Sequence, residues 1–207
     1  MTATRDEARA AQLERALRIK RALAQSQSAD IPARPSTATA LLSEMQRSLW
    51  LTHQLNPSSA AYNLVNAFRL SHEVDLSRLA AAFKQVVARH RILRSTYIER
   101  QSEIVQVIGS ETDHTLERVV VEPGEALDAA RREARRPFDL SQAPLVRLIH
   151  MRERSAGDCL LLLVIHHILA DEVSLEILWR QLAADYDGQR PASPPDVQFD
   201  DFVHWQA

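Results

Sequence analysis

The feature that most restricts the fold is an unbroken apolar run over residues 159–165, which leads directly into two adjacent histidines. The run (CLLLLVI) is far too short to cross a bilayer. Such a run is typical of a strand that is covered on both faces of its sheet. Residues 173–186 follow with the clearest helical periodicity in the chain. The sequence therefore predicts a buried strand that leads into an amphipathic helix.

The rest of the chain mixes strand and helix patterns in an irregular order. Helices are predicted to follow the caps Ser43 and Asp75. Further helices are predicted at residues 125–135, 173–186 and 199–205, and strands at residues 61–70, 92–98, 103–108, 116–121, 145–151 and 159–165. This order predicts the α+β class, a mixed α/β sandwich in which helices cover a central sheet.

The N-terminal segment differs in character from the remainder. Residues 4–25 have a thin apolar stripe at helical spacing, and residues 26–39 carry two prolines and many small polar residues. We therefore expect residues 1–39 to form a helix and a linker. The helix is either a solvated leader or a docking segment for another polypeptide, and the globular domain occupies residues 40–207.

Composition narrows the classes of function. The chain has 207 residues, 45% of them hydrophobic, and a net charge of -2, which favours neither a nucleic-acid nor a membrane partner. A single cysteine, Cys159, excludes an internal disulfide and suits a reducing compartment. Residues 1–25 contain no apolar core of a signal peptide. The sequence predicts a cytoplasmic protein.

The histidine pair at the end of the apolar run is the best candidate for chemistry. Successive side chains on a strand point to opposite faces, so His166 and His167 cannot both face one cavity. One is expected to be structural, and the other is free to take or hold a proton near neutral pH. Asp171 precedes the helix and can cap its amides or accept an arginine. A purely structural histidine followed by a helix cap stays open as an alternative.

Two other kinds of site find no support in the sequence. Adjacent histidines do not have the helical spacing of metal ligands, and no third ligand stands at a usual distance, so we predict no metal. The chain has four glycines, none of them in a phosphate-cradling arrangement. We therefore predict no cofactor-binding residues in this chain.

Four separated segments resemble, in order, the motifs of the condensation domains of nonribosomal peptide synthetases. The segments are residues 43–50 (SEMQRSLW), 89–95 (RHRILRS), 166–171 (HHILAD) and 199–205 (FDDFVHW). Each is weak by itself, but the four occur with the spacing familiar in that family. The resemblance covers residues 40–207.

The resemblance implies a chloramphenicol acetyltransferase-like fold in which two lobes enclose a reaction tunnel. This chain would supply the N-terminal lobe, with the C-terminal lobe absent, and would be inactive alone. Donor and acceptor carrier proteins would present substrates on phosphopantetheine arms. An adjacent adenylation domain or an upstream synthetase subunit would be a further partner.

The same resemblance assigns roles to the site residues. It implies that His167 faces the tunnel and assists attack of the acceptor amine on the donor thioester. His166 would support it, and Asp171 would be structural and paired with an arginine of the second motif, for which we choose Arg94. Replacement of Asp171 by Ala would then harm folding, whereas replacement of His167 by Ala would not.

One departure from the family pattern is Glu172, which stands where a glycine usually follows the aspartate. We expect Glu172 and Ser174 to line the substrate channel, unless Glu172 turns outward in the first helical turn, where negative charge is favourable. Two alternative functions stay open: a related acyltransferase that uses the same His-x-x-x-Asp arrangement, and a non-catalytic domain that recruits a partner.

Overall fold

A computed structural model describes residues 31–34, 39–71, 73–109, 114–154, 159–189 and 193–207. The predicted N-terminal helix and most of the linker lie outside these residues. The chain divides into two units, Met1–Pro32 and Ala33–Ala207. The fold below is that of the second unit.

The elements of this unit follow the irregular order that the sequence predicts. The strands are β1 Thr39–Ala40, β2 Asn63–Arg69, β3 Ser95–Arg100, β4 Glu103–Ile108, β5 Leu116–Val121, β6 Val146–Glu153 and β7 Cys159–His166. The helices are α1 Glu44–Leu55, α2 Leu76–Arg89, α3 Ala126–Ala134, α4 Glu172–Tyr186 and α5 Phe199–Gln206, with a 3₁₀ turn at Arg91–Arg94. The α+β class is confirmed.

The larger sheet has the strand order β2-β7-β6-β5 and places the apolar run near its centre. Strand β7 pairs antiparallel with both β2 and β6, whereas β5 pairs parallel with β6. Helices α2 and α4 pack against each other on the face of Val146 and Leu163. The neighbouring Arg147 points to the opposite face, where it contacts Phe138 after α3. Helices therefore cover this sheet from two sides, which explains the continuous apolar character of β7.

The smaller sheet has the order β1-β4-β3, in which β3 and β4 are antiparallel neighbours. One detail differs from the sequence prediction. The first three residues of the predicted strand 92–98 belong to the 3₁₀ turn, because the chain bends there before entering β3. Strand β5 belongs to the larger sheet. In the part of the chain that the structure covers, none of the helices is long and apolar enough to span a membrane.

Candidate functional site

Strand β7 ends at His166, and the chain then turns sharply before α4 begins. The amide of His166 donates to the Leu145 carbonyl at 3.1 Å, and the amide of His167 donates to the Tyr62 carbonyl at 2.8 Å. The amide of Leu169 closes the turn by donating to the His166 carbonyl at 3.0 Å. These bonds fix the backbone at the point where the two imidazoles diverge.

His166 is the buried member of the pair, as predicted, with 2% of its surface exposed. Its Nδ1 accepts a hydrogen bond from the amide of Ile168 at 3.1 Å, so its Nε2 carries the proton. The ring of His53 stands edge-on at a centroid distance of 5.7 Å. Burial, with repulsion from His53 and His167, lowers the pKa of His166 to about 4. This imidazole is therefore neutral at physiological pH.

His167 is half-buried and lines a cavity of about 340 Å³. Its Nδ1 lies 2.7 Å from the carbonyl oxygen of Ala170. A carbonyl can only accept, so Nδ1 carries a proton, and in the neutral ring the lone pair is on Nε2. The cavity wall is largely apolar and includes Leu49, Ile92, Ile177, Leu178, Val197 and Phe199. The arrangement can receive a proton at Nε2 beside an apolar chamber.

The predicted contact between Asp171 and Arg94 is wrong. Asp171 is exposed and is the N-cap of α4, where its Oδ1 accepts from the amide and the hydroxyl of Ser174 at 2.8 and 2.6 Å. The Ser174 hydroxyl first, and then the Ser174 amide, lower the pKa of Asp171. The hydrogen-bond donors to this carboxylate therefore belong to α4 itself. Asp171 acts as a helix cap, which is the alternative to an arginine contact that the sequence left open.

Arg94 is the last residue of the 3₁₀ turn, and its side chain does not contact Asp171. Its Nη1 donates to the Gly109 carbonyl, at the end of β4. Burial and the neighbouring Arg91 lower the pKa of Arg94, while Asp200 opposes the change. The second motif does supply ion pairs, but through two other arginines. Nη2 of Arg89 lies 2.7 Å from Oδ2 of Asp185 in α4, and Nε of Arg91 lies 3.0 Å from Oδ1 of Asp200 in the fourth motif.

Of the two predicted channel residues, Ser174 lines the cavity, but Glu172 is not among the lining residues. Glu172 is exposed in the first turn of α4. It therefore adopts the outward position that the sequence left open as the alternative. A negative side chain at this place is favoured by the amide dipoles of the helix start.

The sequence prediction did not include two buried residues behind the turn. Gln46 donates through Nε2 to the carbonyl of Ile168 at 3.1 Å and to Oη of Tyr97 at 3.0 Å. Gln46 belongs to the first motif, and this could have marked it as a site residue. Its hydrogen-bond partners, however, could not be predicted from the sequence. Tyr97 stands in β3 outside the four motifs, and no local pattern singles it out.

His90, which belongs to the second motif, also lies on the cavity wall. Its Nε2 contacts Oε1 of Gln181 at 2.8 Å and therefore carries the proton. Burial lowers the pKa of His90; the hydrogen bond to Gln181 opposes this, and the adjacent Arg89 adds to it. His90 is thus a neutral wall residue.

The sequence model of the condensation domain matches residues 36–207. A linear gramicidin synthase polypeptide of Brevibacillus parabrevis is 38% identical over 179 residues, a match that covers 80% of this chain and 4% of that protein. The X-domain of teicoplanin biosynthesis, solved in complex with OxyB, superposes with a TM-score of 0.76 at 26% identity and covers 85% of this chain.

The first condensation domain of the calcium-dependent antibiotic synthetase, solved with a substrate analogue, shares the fold with a TM-score of 0.70 at 22% identity. The chain covers 39% and 43% of these two solved chains, and only a small part of the curated relatives' length. Another relative, from Salinispora arenicola (strain CNS-205), is named as a probable non-canonical nonribosomal peptide synthetase and is 34% identical. The chain belongs to the condensation-domain family of nonribosomal peptide synthetases.

Proposed function

We propose that this chain provides the proton-accepting imidazole for amide-bond formation between two carrier-bound substrates. The observation that carries the proposal is the state of His167. Its Nδ1 proton is donated to the Ala170 carbonyl, so in the neutral ring Nε2 holds the lone pair, and the residue lines the cavity. A side chain held in one tautomer within reach of a reacting group is what general base catalysis requires.

The proposed step is attack of an acceptor amine on the carbonyl carbon of a donor thioester. A C–N bond forms and the C–S bond breaks, so the products are an amide and a thiol. His167 takes the proton that leaves the attacking nitrogen and returns it to the departing sulfur. Atoms and electrons balance without an external oxidant or reductant.

The partners in this proposal are the donor and acceptor carrier proteins, each presenting its substrate on phosphopantetheine. An adenylation domain or an upstream synthetase subunit would supply the loaded acceptor or donor. The chain itself would contribute positioning and proton transfer rather than a cofactor. The reaction would take place in the cytoplasm, in keeping with the single cysteine.

The test uses the natural full-length polypeptide with two loaded carrier proteins, and mass spectrometry measures the condensed product. His167→Ala should lower the rate of product formation by roughly 10²- to 10⁴-fold, the usual contribution of a general base. The matched control is His204→Ala, which removes an exposed histidine from α5. An unchanged product rate in the His167 variant would refute the assignment. Product from a free amine with no acceptor carrier would instead favour a related acyltransferase.

A second function, recruitment of a partner enzyme, is favoured by one observation. The X-domain that this chain resembles was solved in complex with OxyB. The same preparation distinguishes the two functions, because a recruiting domain would bind carrier or enzyme and yield no product in the parent protein. Product that depends on His167 would exclude recruitment as the sole role.

A further inference from the structure

The side-chain amide of Gln46 is buried and makes three hydrogen bonds. Only 3% of its surface is exposed, in the first turn of α1. Its Oε1 accepts from the amide of Ser43 at 3.0 Å, and its Nε2 donates to Oη of Tyr97 and to the Ile168 carbonyl. One oxygen meets one donor, and the two Nε2 protons meet two acceptors. All three contacts therefore agree on one orientation of the amide.

Tyr97 is in contact with both Gln46 and the Ile168 carbonyl. Its Oη lies 3.4 Å from the Ile168 oxygen, beyond a good hydrogen bond, and only 1% of the residue is exposed. Burial raises the pKa of Tyr97, so its hydroxyl stays protonated. Gln46 is consequently the main donor to the Ile168 carbonyl, and Tyr97 holds the Gln46 amide in place.

The bond to Ile168 matters because this residue directly follows His167 in the turn. The amide of Ile168 is held by Nδ1 of His166, and its carbonyl is held by Gln46. Both peptide groups that flank the Ile168 side chain are therefore fixed. The Ala170 carbonyl that sets the tautomer of His167 lies only two residues further along.

We infer that Gln46 is a positioning residue for His167. It acts through the Ile168 carbonyl, which links the start of α1 to the turn that carries the imidazole. Without the Nε2 donor, a buried carbonyl would keep only the long Tyr97 contact, and rotation of that peptide would relieve it. The Ala170 carbonyl would then lose its fixed direction toward Nδ1. This inference rests on the proposed function only for its catalytic consequence.

The first measurement is made on this chain and does not depend on catalysis. Imidazole ¹⁵N spectra of the parent should show a protonated Nδ1 and an unprotonated Nε2 at His167. In Gln46→Met, which keeps chain length but lacks the donor, the two ¹⁵N signals should move toward each other as both tautomers become populated. Tyr97→Phe should produce a smaller shift in the same direction, since Gln46 retains its donors.

The matched control separates positioning from a general loss of stability. Asp75→Ala removes the N-cap of α2, whose Oδ1 accepts from the amides of Ser77 and Arg78. It should lower the melting temperature and leave the His167 spectrum unchanged. If Gln46→Met does not fold, Gln46→Glu serves instead, because its carboxylate can still accept from Ser43 but has no proton for Ile168 when ionised. A parent-like His167 spectrum in the folded Gln46 variant would overturn the inference.

The second measurement is made on the full-length polypeptide with loaded carrier proteins. A positioning role predicts that Gln46→Met lowers kcat by roughly ten- to a hundredfold while KM stays nearly constant, since misplacement of a catalytic group acts on the chemical step. A rise in KM alone, with kcat intact, would contradict it. Should His167→Ala keep full activity, the proposed function fails, and the ¹⁵N spectra still decide the positioning inference.

Discussion

Aspartates stand at the starts of two helices, and they differ in how far they are exposed to solvent. Asp171 caps α4 from an exposed position and takes its hydrogen bonds from Ser174. Asp200 and Asp201 begin α5 with only 2% and 1% of their surfaces exposed. The electrostatics of a helix start favour a carboxylate in both places. Burial distinguishes them, because water solvates the first and cannot solvate the other two.

The buried pair therefore needs cations, and two arginines provide them. Arg34 contacts Asp200 through its side chain, and its backbone amide donates to Oδ1 of Asp201 at 3.0 Å. Arg91 binds both carboxylates, through Nε to Asp200 and Nη2 to Asp201. Although burial opposes it, the amides of Gln198 and Arg34 together with Arg91 lower the pKa of Asp201. Burial, rather than membership of a motif, therefore decides which carboxylate stabilises the fold through ion pairs.

The largest expected effect is on the buried pair. Asp200→Asn keeps the shape of the side chain but removes a charge that faces two guanidinium groups. Breaking a buried pair in this way costs about 3–5 kcal/mol of unfolding free energy, because each of two guanidinium groups loses one of the carboxylates that face it. Urea titration followed by circular dichroism measures the loss. Asp196→Asn, an exposed aspartate four residues earlier, should stay within about 0.5 kcal/mol. A larger loss at Asp171 than at Asp200 would reverse the comparison.

The next largest effect concerns pH: the stability that His166 contributes and the stability that Asp201 contributes are lost at different pH values. The folded pKa of His166 is about 4, below the ordinary 6.5, so the unfolded chain gains a proton first as the pH falls. Stability from this residue is complete above pH 6.5 and is lost as the pH falls toward 4, by about 3 kcal/mol in all. Asp201 has a lowered pKa, so its contribution disappears only at still lower pH, below the ordinary value of 3.8.

His166→Asn tests this window, since an amide oxygen can accept from Ile168 but does not titrate. Unfolding free energies at pH 7 and pH 4.5 should differ less in the variant than in the parent. Some slope will persist, because burial also lowers the pKa of His53, His90 and His150. An equal slope in parent and variant would show that His166 is not the neutral, buried group described above.

Much of the fold was readable from the sequence because it depends on local rules. The caps Ser43 and Asp75 lie where predicted, and both accept hydrogen bonds from helix amides. The apolar run became the strand β7, and the alternation of strand side chains correctly separated His166 from His167. Local propensity failed at residues 92–94, where an apolar segment enters a 3₁₀ turn that the sequence pattern does not distinguish from a strand.

The partners of the site residues were less predictable, since they depend on tertiary placement. Arg91 and Arg94 stand one short turn apart, and the sequence cannot say which one meets a carboxylate and which one meets the Gly109 carbonyl. Gln46 reaches Ile168 across 122 positions. Contacts of this kind arise from how α1 packs on the turn, and no spacing rule encodes them.

A smaller effect is expected at the exposed aspartate. Asp171→Ala removes a helix cap, which costs about 1 kcal/mol of unfolding free energy, instead of the severe folding defect that a buried charge pair would give. Asp171→Ser should restore most of the loss, because serine also caps helices well. Parallel urea titrations of the two variants measure these losses, and His167→Ala, which is expected to leave the fold intact, is measured beside them. A loss of several kcal/mol at Asp171, unrelieved by serine, would mean that its carboxylate has a cationic partner after all.

The smallest effect is expected one residue further on. Glu172→Gln removes the negative charge at the start of α4 and should lower the unfolding free energy by about 0.3 kcal/mol, the lower end of a favourable charge–dipole interaction at an exposed site. Glu176→Gln is the matched control, because it is also exposed but lies beyond the first turn, where the interaction has faded. Product formation should be unchanged in both variants, since neither side chain lines the cavity. A gain or loss of kcat confined to the Glu172 variant would place this carboxylate in the path of the substrate, beside Asp171 and Ser174, which do line the cavity.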